Sequence, residues 1–518
     1  MLTQELIWAA ATWHLPLDSF LRDLNFDDSF YYFVIARNFA HGAWSTFDGW
    51  NLTNGYQPIW AALLAPVFGL IADPIAALRA AKLLELLCLL GATGLLLAAG
   101  RAAGWNWLAA WVVPLWLFGH TTFFRGLETA PQVLLLALGL TLTVRLFADL
   151  DRLSSWVWLA ILCAVLPWAR LELVAAAIVL AAYVTAYSAF LGRWHGRNVL
   201  LLWALAAAGF LGYLAYNKFV FGTPLPVSGQ VKNYWSSLRI ANSDHFSWLD
   251  NAIAIVRPNI KETFVALVSL ALVVGSWLVP TYRWKGRYVN HAFDAFLVTL
   301  ACAHLSRLSY SMLVSHVDYD AGWYYVPGQV AVAVIVPVVL ARVGLLRPPW
   351  RKVNARWIGN GLALACAAGA VVAFQTPWTP RGHIDWNAAS YEGVQWMNEH
   401  LPPGARVGVP DAGVVGYFST NHQITNLDGL VNSDAFFAAI RSQGVERWLH
   451  DNGITYLAGG ARQGADGCAT MAAASNQAQP YGGPCRKLYE GAPFVSYFAG
   501  ERIDLRFTVF AFGKPAGS

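Results

Sequence analysis

The sequence predicts a polytopic α-helical membrane protein that carries a soluble C-terminal α/β domain. Three observations predict it. Hydrophobic residues make up 57% of the 518-residue chain and charged residues only 13%, with a mean hydropathy of +0.44, which is more apolar surface than a water-soluble fold can hide. The apolar residues gather in runs that approach the roughly 20 residues needed to cross a bilayer. After residue 374 these runs stop, and short elements with soluble-domain patterning take over.

Ten runs qualify as spans: residues 75–99, 105–119, 127–148, 155–169, 171–191, 198–219, 263–280, 292–313, 323–345 and 356–374. Alternating the sides of the intervening loops puts five cationic groups on one side: Arg101; Arg145 with Arg152; Arg193 with Arg197; Arg283, Lys285 and Arg287; and Arg347, Arg351 and Lys352. Lys and Arg collect in cytoplasmic loops, so that side is the cytoplasm. This spread also accounts for the net charge of +5 and speaks against a nucleic-acid partner, which would require one basic patch. The opposite side collects Asp27 and Asp28, Arg125 with Glu128, Arg170 with Glu172, Lys232, and the run 316–325. Cys88, Cys163, Cys302 and Cys366 lie singly in apolar runs, where a thiol acts as a small hydrophobe and suggests no metal site.

Three regions follow: an N-terminal segment 1–74 with an acidic extracytoplasmic loop and interfacial helices, a transmembrane domain 75–374, and an extracytoplasmic α/β domain 375–518. In the first, the apolar core Leu6 to Trp13 is too short to span. The expectation is a start that is missing or misassigned, so that a first span lies upstream; otherwise the N-terminus sits outside. Ala61 to Ala72, bounded by Asp73 and Pro74, is short enough to lie in the interface or to re-enter. In the third region we expect helices at 388–399 and 445–451 and strands at 405–409, 454–457 and 503–512, with Pro402, Pro403 and Gly404 punctuating a turn. Cys468 and Cys485 are its only cysteines. An oxidising compartment would let them close a disulfide contributing about 3 kcal/mol; elsewhere they are two free thiols. The stretch Asp411-Ala412-Gly413-Val414-Val415-Gly416-Tyr417 lacks a phosphate-binding glycine fingerprint and reads as a structural turn.

The segment from Phe26 to Asn38 reads as an amphipathic helix opened by acids. Asp27 or Asp28 would cap it and suit its dipole. Two adjacent carboxylates also repel and raise one pKa, which is how a general base is tuned. Arg125 and Glu128, three apart, read either as a helical ion pair or as a functional one. Arg170 and Glu172 occupy a tight turn between two spans, where charges face a cavity. Lys232, next to Asn233-Tyr234-Trp235, is either a surface lysine or a compact charge for a phosphate. His316 with Asp318 and Asp320 is weak as a metal site; His316 or Tyr325 reads as a substrate contact, or the run as an interfacial aromatic belt. Lys82 and Arg307, alone inside spans, either snorkel or line a cavity.

Taken in order, several segments resemble the GT-C glycosyltransferases, membrane enzymes that use polyprenyl-phosphate sugars. They are the double acid Asp27-Asp28, the helix through Ala36-Arg37-Asn38, and Thr53-Asn54-Gly55-Tyr56-Gln57-Pro58-Ile59-Trp60. Gly126-Leu127-Glu128-Thr129, Trp168-Ala169-Arg170-Leu171-Glu172, and Phe221-Gly222-Thr223-Pro224-Leu225-Pro226 with Lys232 follow. Trp323-Tyr324-Tyr325-Val326-Pro327 and Asn426-Leu427-Asp428-Gly429-Leu430 complete the series. The pattern is most similar to bacterial terminal arabinofuranosyltransferase-like relatives. The resemblance implies a GT-C-like bundle in a bacterial inner membrane, with the active site and tail domain extracytoplasmic. It implies a polyprenyl-phosphate-linked sugar donor, a glycan, lipid or protein acceptor, and transfer with inversion. Asp27 is implied as base, with Asp28 orienting it or binding a divalent cation such as Mg or Mn. Asn54, Gln57, Arg125, Glu128, Arg170, Glu172, Lys232, His316 and Tyr325 are implied to bind substrate. The competing class is a transporter or flippase for a lipid-linked sugar, whose two related halves with interrupted helices the sequence does not display.

Overall fold

The computed structural model describes residues 12–17, 20–21, 25–105, 110–241, 247–278, 288–315, 322–345, 384–462, 485–498 and 501–512. The helices of the N-terminal two thirds run in the order α1 (Asp27–Ala40), α2 (Pro58–Leu70), α3 (Pro74–Ala102), α4 (Val112–Gly119), α5 (Thr129–Ala148), α6 (Leu153–Ala169), α7 (Val174–Phe190), α8 (Gly196–Phe221), α9 (Val227–Ala241), α10 (Trp248–Val256), α11 (Ile260–Leu278), α12 (Tyr288–Tyr310) and α13 (Val326–Leu345). Among the described residues seven helices are long and apolar enough to cross a membrane, namely α3, α5, α7, α8, α11, α12 and α13. The chain is a multi-pass membrane protein. Of the other expected spans, 155–169 is the shorter apolar helix α6 of 17 residues, 105–119 contains the eight-residue α4, and 356–374 lies outside the described residues.

Local chemistry sets the helix ends that position the site. Pro58 opens α2 and Pro74 opens α3, at positions where a missing N–H costs nothing. Asp73 caps α3 by accepting from the Ala76 N–H at 2.6 Å. At 13 residues α2 is too short to span, and it buries Trp60, Leu64 and Phe68 inside the protein.

The tail domain is built from α14 (Ile384–His400), β1 (Arg406–Val409), α15 (Gly413–Phe418), β2 (Gln423–Asn426), α16 (Asp434–Arg441), α17 (Val445–Asp451), β3 (Tyr456–Arg462), β4 (Cys485–Phe498) and β5 (Glu501–Phe512). Its sheet has the order β2-β1-β3-β5-β4. The first three strands are parallel, with Val407 opposite both Ile424 and Tyr456, and β5 and β4 add antiparallel, with Leu457 opposite Phe510. Helix α14 covers one face through Trp386 against Phe494 and Phe507. Phe436, Ile440 and Leu449 of α16 and α17 join Leu457 and Phe510 in a separate core cluster. Cys485 is disulfide-bonded; Cys468 lies outside the described residues.

Apolar packing joins tail and bundle. Phe30 of α1 packs on Tyr417 and Phe418 of α15, at centroid distances of 5.5 and 6.1 Å, and a single apolar core runs through both. At Gly55 a Cβ would collide with the Leu430 carbonyl, so the loop before α2 lies directly on the tail.

Candidate active site at the seam of bundle and tail

Neither acid of α1 caps its own helix. The N-cap is Phe26, with no side-chain bond, and Ser29 to Ala36 are buried all round, so α1 is a core helix and not the expected amphipathic one. Asp27 instead binds the first turn of α15: the Gly413 N–H donates to its Oδ2 at 3.0 Å and the Val414 N–H to its Oδ1 at 2.9 Å. At the other end of the same short helix, Arg37 donates to the carbonyls of Gly416 at 3.1 Å and Tyr417 at 2.8 Å. An acid thus meets the positive end of α15 and a guanidinium its negative end.

Two further acids come from the tail. Asp428 accepts from the Tyr31 hydroxyl at 2.6 Å and from the Leu430 N–H at 2.7 Å. Asp411, held at a left-handed φ of 47° just before α15, also faces the group. Asp28 accepts no hydrogen bond among the described residues and is half-buried. Burial, assisted by Asp28 and Asp428 and opposed by the two amides, raises the Asp27 carboxyl to about 8. Asp411 is pushed well above the carboxylate range by burial and by Asp428, and Asp428 is raised chiefly by burial.

Beside the acids lies a cationic and aromatic group. The loop before α5 carries Arg125, and its backbone is clamped on both sides: Lys82 donates to the Phe124 carbonyl at 2.9 Å, the Gly126 N–H donates to Glu85 at 2.8 Å, and Trp60 donates to the Gly126 carbonyl at 3.0 Å. Gly126 has φ +86°, and a Cβ there would come within 2.5 Å of Ser29, so only glycine lets this loop lie on α1. The Phe26 N–H donates to the Arg125 carbonyl at 3.3 Å, and the Arg125 guanidinium sits 4.4 Å over the Phe26 ring. Phe26 in turn lies 5.0 Å from Trp323. Next to Trp323, the Tyr324 ring has Arg307 at 4.3 Å, Arg170 at 4.8 Å and Lys232 at 5.3 Å from its centroid, and Lys232 donates to its hydroxyl at 2.6 Å. Arg170 pairs with Glu128, bonds Glu172 at 3.0 Å, and donates to the Trp323 carbonyl at 3.0 Å; Glu172 also holds Arg307 at 3.3 Å. Burial works against the Arg170 charge, but Glu172 and Glu128 outweigh it and hold the guanidinium protonated.

The residues singled out from sequence therefore part ways. Asp27, Asp28, Arg125, Glu128, Arg170, Glu172 and Lys232 converge. Glu128 pairs with Arg170 and not, as the spacing suggested, with Arg125. Asn54 uses its side chain inside the protein, accepting from the Val227 N–H at 2.9 Å and donating to Asn217 at 2.9 Å. Gln57 is half-buried at the N-cap of α2. Tyr325 is buried and donates to Ser311 at 3.2 Å, so Tyr324 is the tyrosine that meets the cations. His316 lies outside the described residues. Lys82 does not snorkel but is fully buried against Glu85. The stretch from Asp411 to Tyr417 does more than turn the chain, because it supplies the amides that hold Asp27. Tyr31, Tyr324, Arg307, Asp411 and Gly413 were not read as site residues; Arg307, a charge inside a span, carried the one usable signal. Among the described residues no three His, Cys, Asp or Glu side chains are arranged to hold a metal ion.

Over 98% of its length the chain superposes on 97% of ArnT from Cupriavidus metallidurans, crystallised bound to undecaprenyl phosphate, with a TM-score of 0.51 and 14% identity. The fold is GT-C. Two more distant likenesses are to the Archaeoglobus fulgidus oligosaccharyltransferase in complex with Zn and sulfate (TM-score 0.48, 11% identity, 88% of this chain and 67% of that one) and to the arabinofuranosyltransferase AftD from Mycobacteria (TM-score 0.40, 13% identity, 99% of this chain and 40% of that one). Residues 383–488 match a domain of unknown function, DUF8728. No curated protein sequence matches the chain.

Proposed function

We propose that the protein is a membrane glycosyltransferase that moves a sugar from a polyprenyl-phosphate donor to an acceptor hydroxyl on the extracytoplasmic face, with inversion. The observation that carries this reading is the adjacency of acids and cations: Asp27 and Asp28 follow Phe26 directly, and Phe26 bridges Arg125 to Trp323 and so to the cations around Tyr324. The charge pattern of the loops supports the outward orientation, and the GT-C fold shared with an undecaprenyl-phosphate-bound protein supports a lipid-linked donor.

The two charge groups suit the two halves of such a transfer. Asp27, oriented by two amides and raised to about 8 by burial, has a lone pair left on each oxygen and is tuned as a base near neutral pH. It takes the acceptor O–H proton while the acceptor oxygen attacks the anomeric carbon. The bond from that carbon to the donor phosphate breaks on the opposite side, its electron pair leaving with polyprenyl phosphate. Arg125, Arg170, Arg307 and Lys232 hold the phosphate and stabilise the charge it gains. Asp28 orients the base, and its charge helps to keep the Asp27 carboxyl raised.

The test is release of polyprenyl phosphate by the purified protein and its Asp27→Asn form, using a panel of polyprenyl-phosphate sugars and candidate acceptors. Wild-type release, reduced about 10²- to 10⁴-fold in Asp27→Asn with donor binding retained, is the expected outcome. Donor binding without turnover in both forms would favour a transporter of the lipid-linked sugar.

A further inference from the structure

We propose that the tail domain is a working part of this site, and that Gly413 and Asp428 are positioning residues that align the acids of α1. This rests on the transferase reading above. Asp27 has both oxygens held by backbone amides that belong to the tail, at 3.0 and 2.9 Å. One turn further along α1, Tyr31 is held by Asp428 at 2.6 Å, and Asn426 donates to the same hydroxyl at 3.3 Å. Arg37 closes the far end of the contact on the Gly416 and Tyr417 carbonyls. The tail thus grips α1 at three successive turns, and two of those grips fall on the acid and on the tyrosine beside it.

Why the tail must carry glycine at this point follows from the same geometry. A Cβ on Gly413 would collide with the Asp27 carbonyl oxygen and come within 2.8 Å of its carboxylate carbon. Only a bare backbone lets the first turn of α15 come close enough to chelate the acid. The strained backbone of Asp411, two residues earlier, delivers the amides to that point. Misplacement of a reacting group by about 1 Å costs on the order of 100-fold in rate.

The experiment uses the full-length protein in detergent and has two arms. In the first, hydrogen–deuterium exchange is followed over residues 410–418. Exchange about tenfold faster in Asp27→Ala than in wild type supports the chelate, and equal exchange overturns it, whatever reaction the protein catalyses. In the second, Gly413→Ala should lower kcat about 100-fold at unchanged donor KM. Asp428→Ala should lower kcat, and Asp428→Asn, whose amide oxygen still accepts from Tyr31, should restore most of the loss. Gly413→Ala with full kcat and wild-type exchange overturns the proposal. If wild type gives no turnover, the transferase reading falls, and with it the catalytic half of this one, while exchange still decides whether the tail holds Asp27.

Discussion

Two charge groups lie side by side where the bundle meets the tail, and they are built on opposite principles. Around Tyr324 the charges alternate in sign: Arg170 sits between Glu128 and Glu172, and Glu172 also reaches Arg307. At the seam with the tail they repeat in sign, with Asp27, Asp28, Asp411 and Asp428 acting on one another across two domains. Alternation lets buried charges persist because each offsets the desolvation of its neighbour. Repetition cannot do that. It adds to burial in raising the Asp27 carboxyl to about 8, which makes Asp27 poor glue and, once ionised, a good proton acceptor.

The comparison breaks most visibly at Arg170. Replacing it by Ala removes the cation paired with the buried Glu128 and leaves Glu172 to Arg307 alone, and a loss of about 3–5 kcal/mol is expected, read as a lower unfolding temperature in detergent. A change no larger than that of a surface substitution would mean the network is wetter than its burial suggests. A pH titration comes next in size. Since the Asp27 carboxyl is raised to about 8, the folded state binds protons that the unfolded chain releases near its ordinary 3.8. Stability is then fully present below that lower value and is lost as pH rises through about 8. The rate moves the other way, because only the ionised form accepts a proton: log kcat/KM should climb with unit slope and level off near 8. A flat rate profile between pH 6 and 8 would remove Asp27 from the base role. Smallest is Asp411→Asn, which replaces a buried carboxyl that folding must protonate beside its acidic neighbours and installs a residue that tolerates positive φ. It should stabilise the fold by about 0.5–1 kcal/mol, the opposite sign to Arg170→Ala. A destabilisation of similar size would show that Asp411 makes a favourable contact of its own.

Much of the site was legible residue by residue. Asp27, Asp28, Arg125, Arg170, Glu172 and Lys232 stand out in sequence because charge next to apolar runs is costly and rarely idle. Their partners were not legible. Arg125 and Glu128 have helical spacing, yet the loop holding Arg125 is pinned outside the helix by Lys82, Glu85 and Trp60, and Glu128 turns to Arg170, 42 positions away. Asn54 looked like a substrate ligand because it is polar within a motif, whereas its donors and acceptor serve the turn before α9. Asp411 read as part of a turn and Asp428 only as part of a resembling segment, since nothing local points either at α1, nearly 400 residues upstream.

By itself, the sequence determined seven of the spans, the sidedness expected from their loops, the change to an α/β tail, and two of the acids, Asp27 and Asp28, because each depends on hydropathy or charge within one short window. Only the tertiary structure decided that the tail sits on α1, that its amides hold Asp27, and that Tyr324 is the tyrosine the cations surround. Those outcomes depend on which backbones can approach at Gly55, Gly126 and Gly413, and close approach between distant segments leaves only the absence of a side chain as its mark in the sequence.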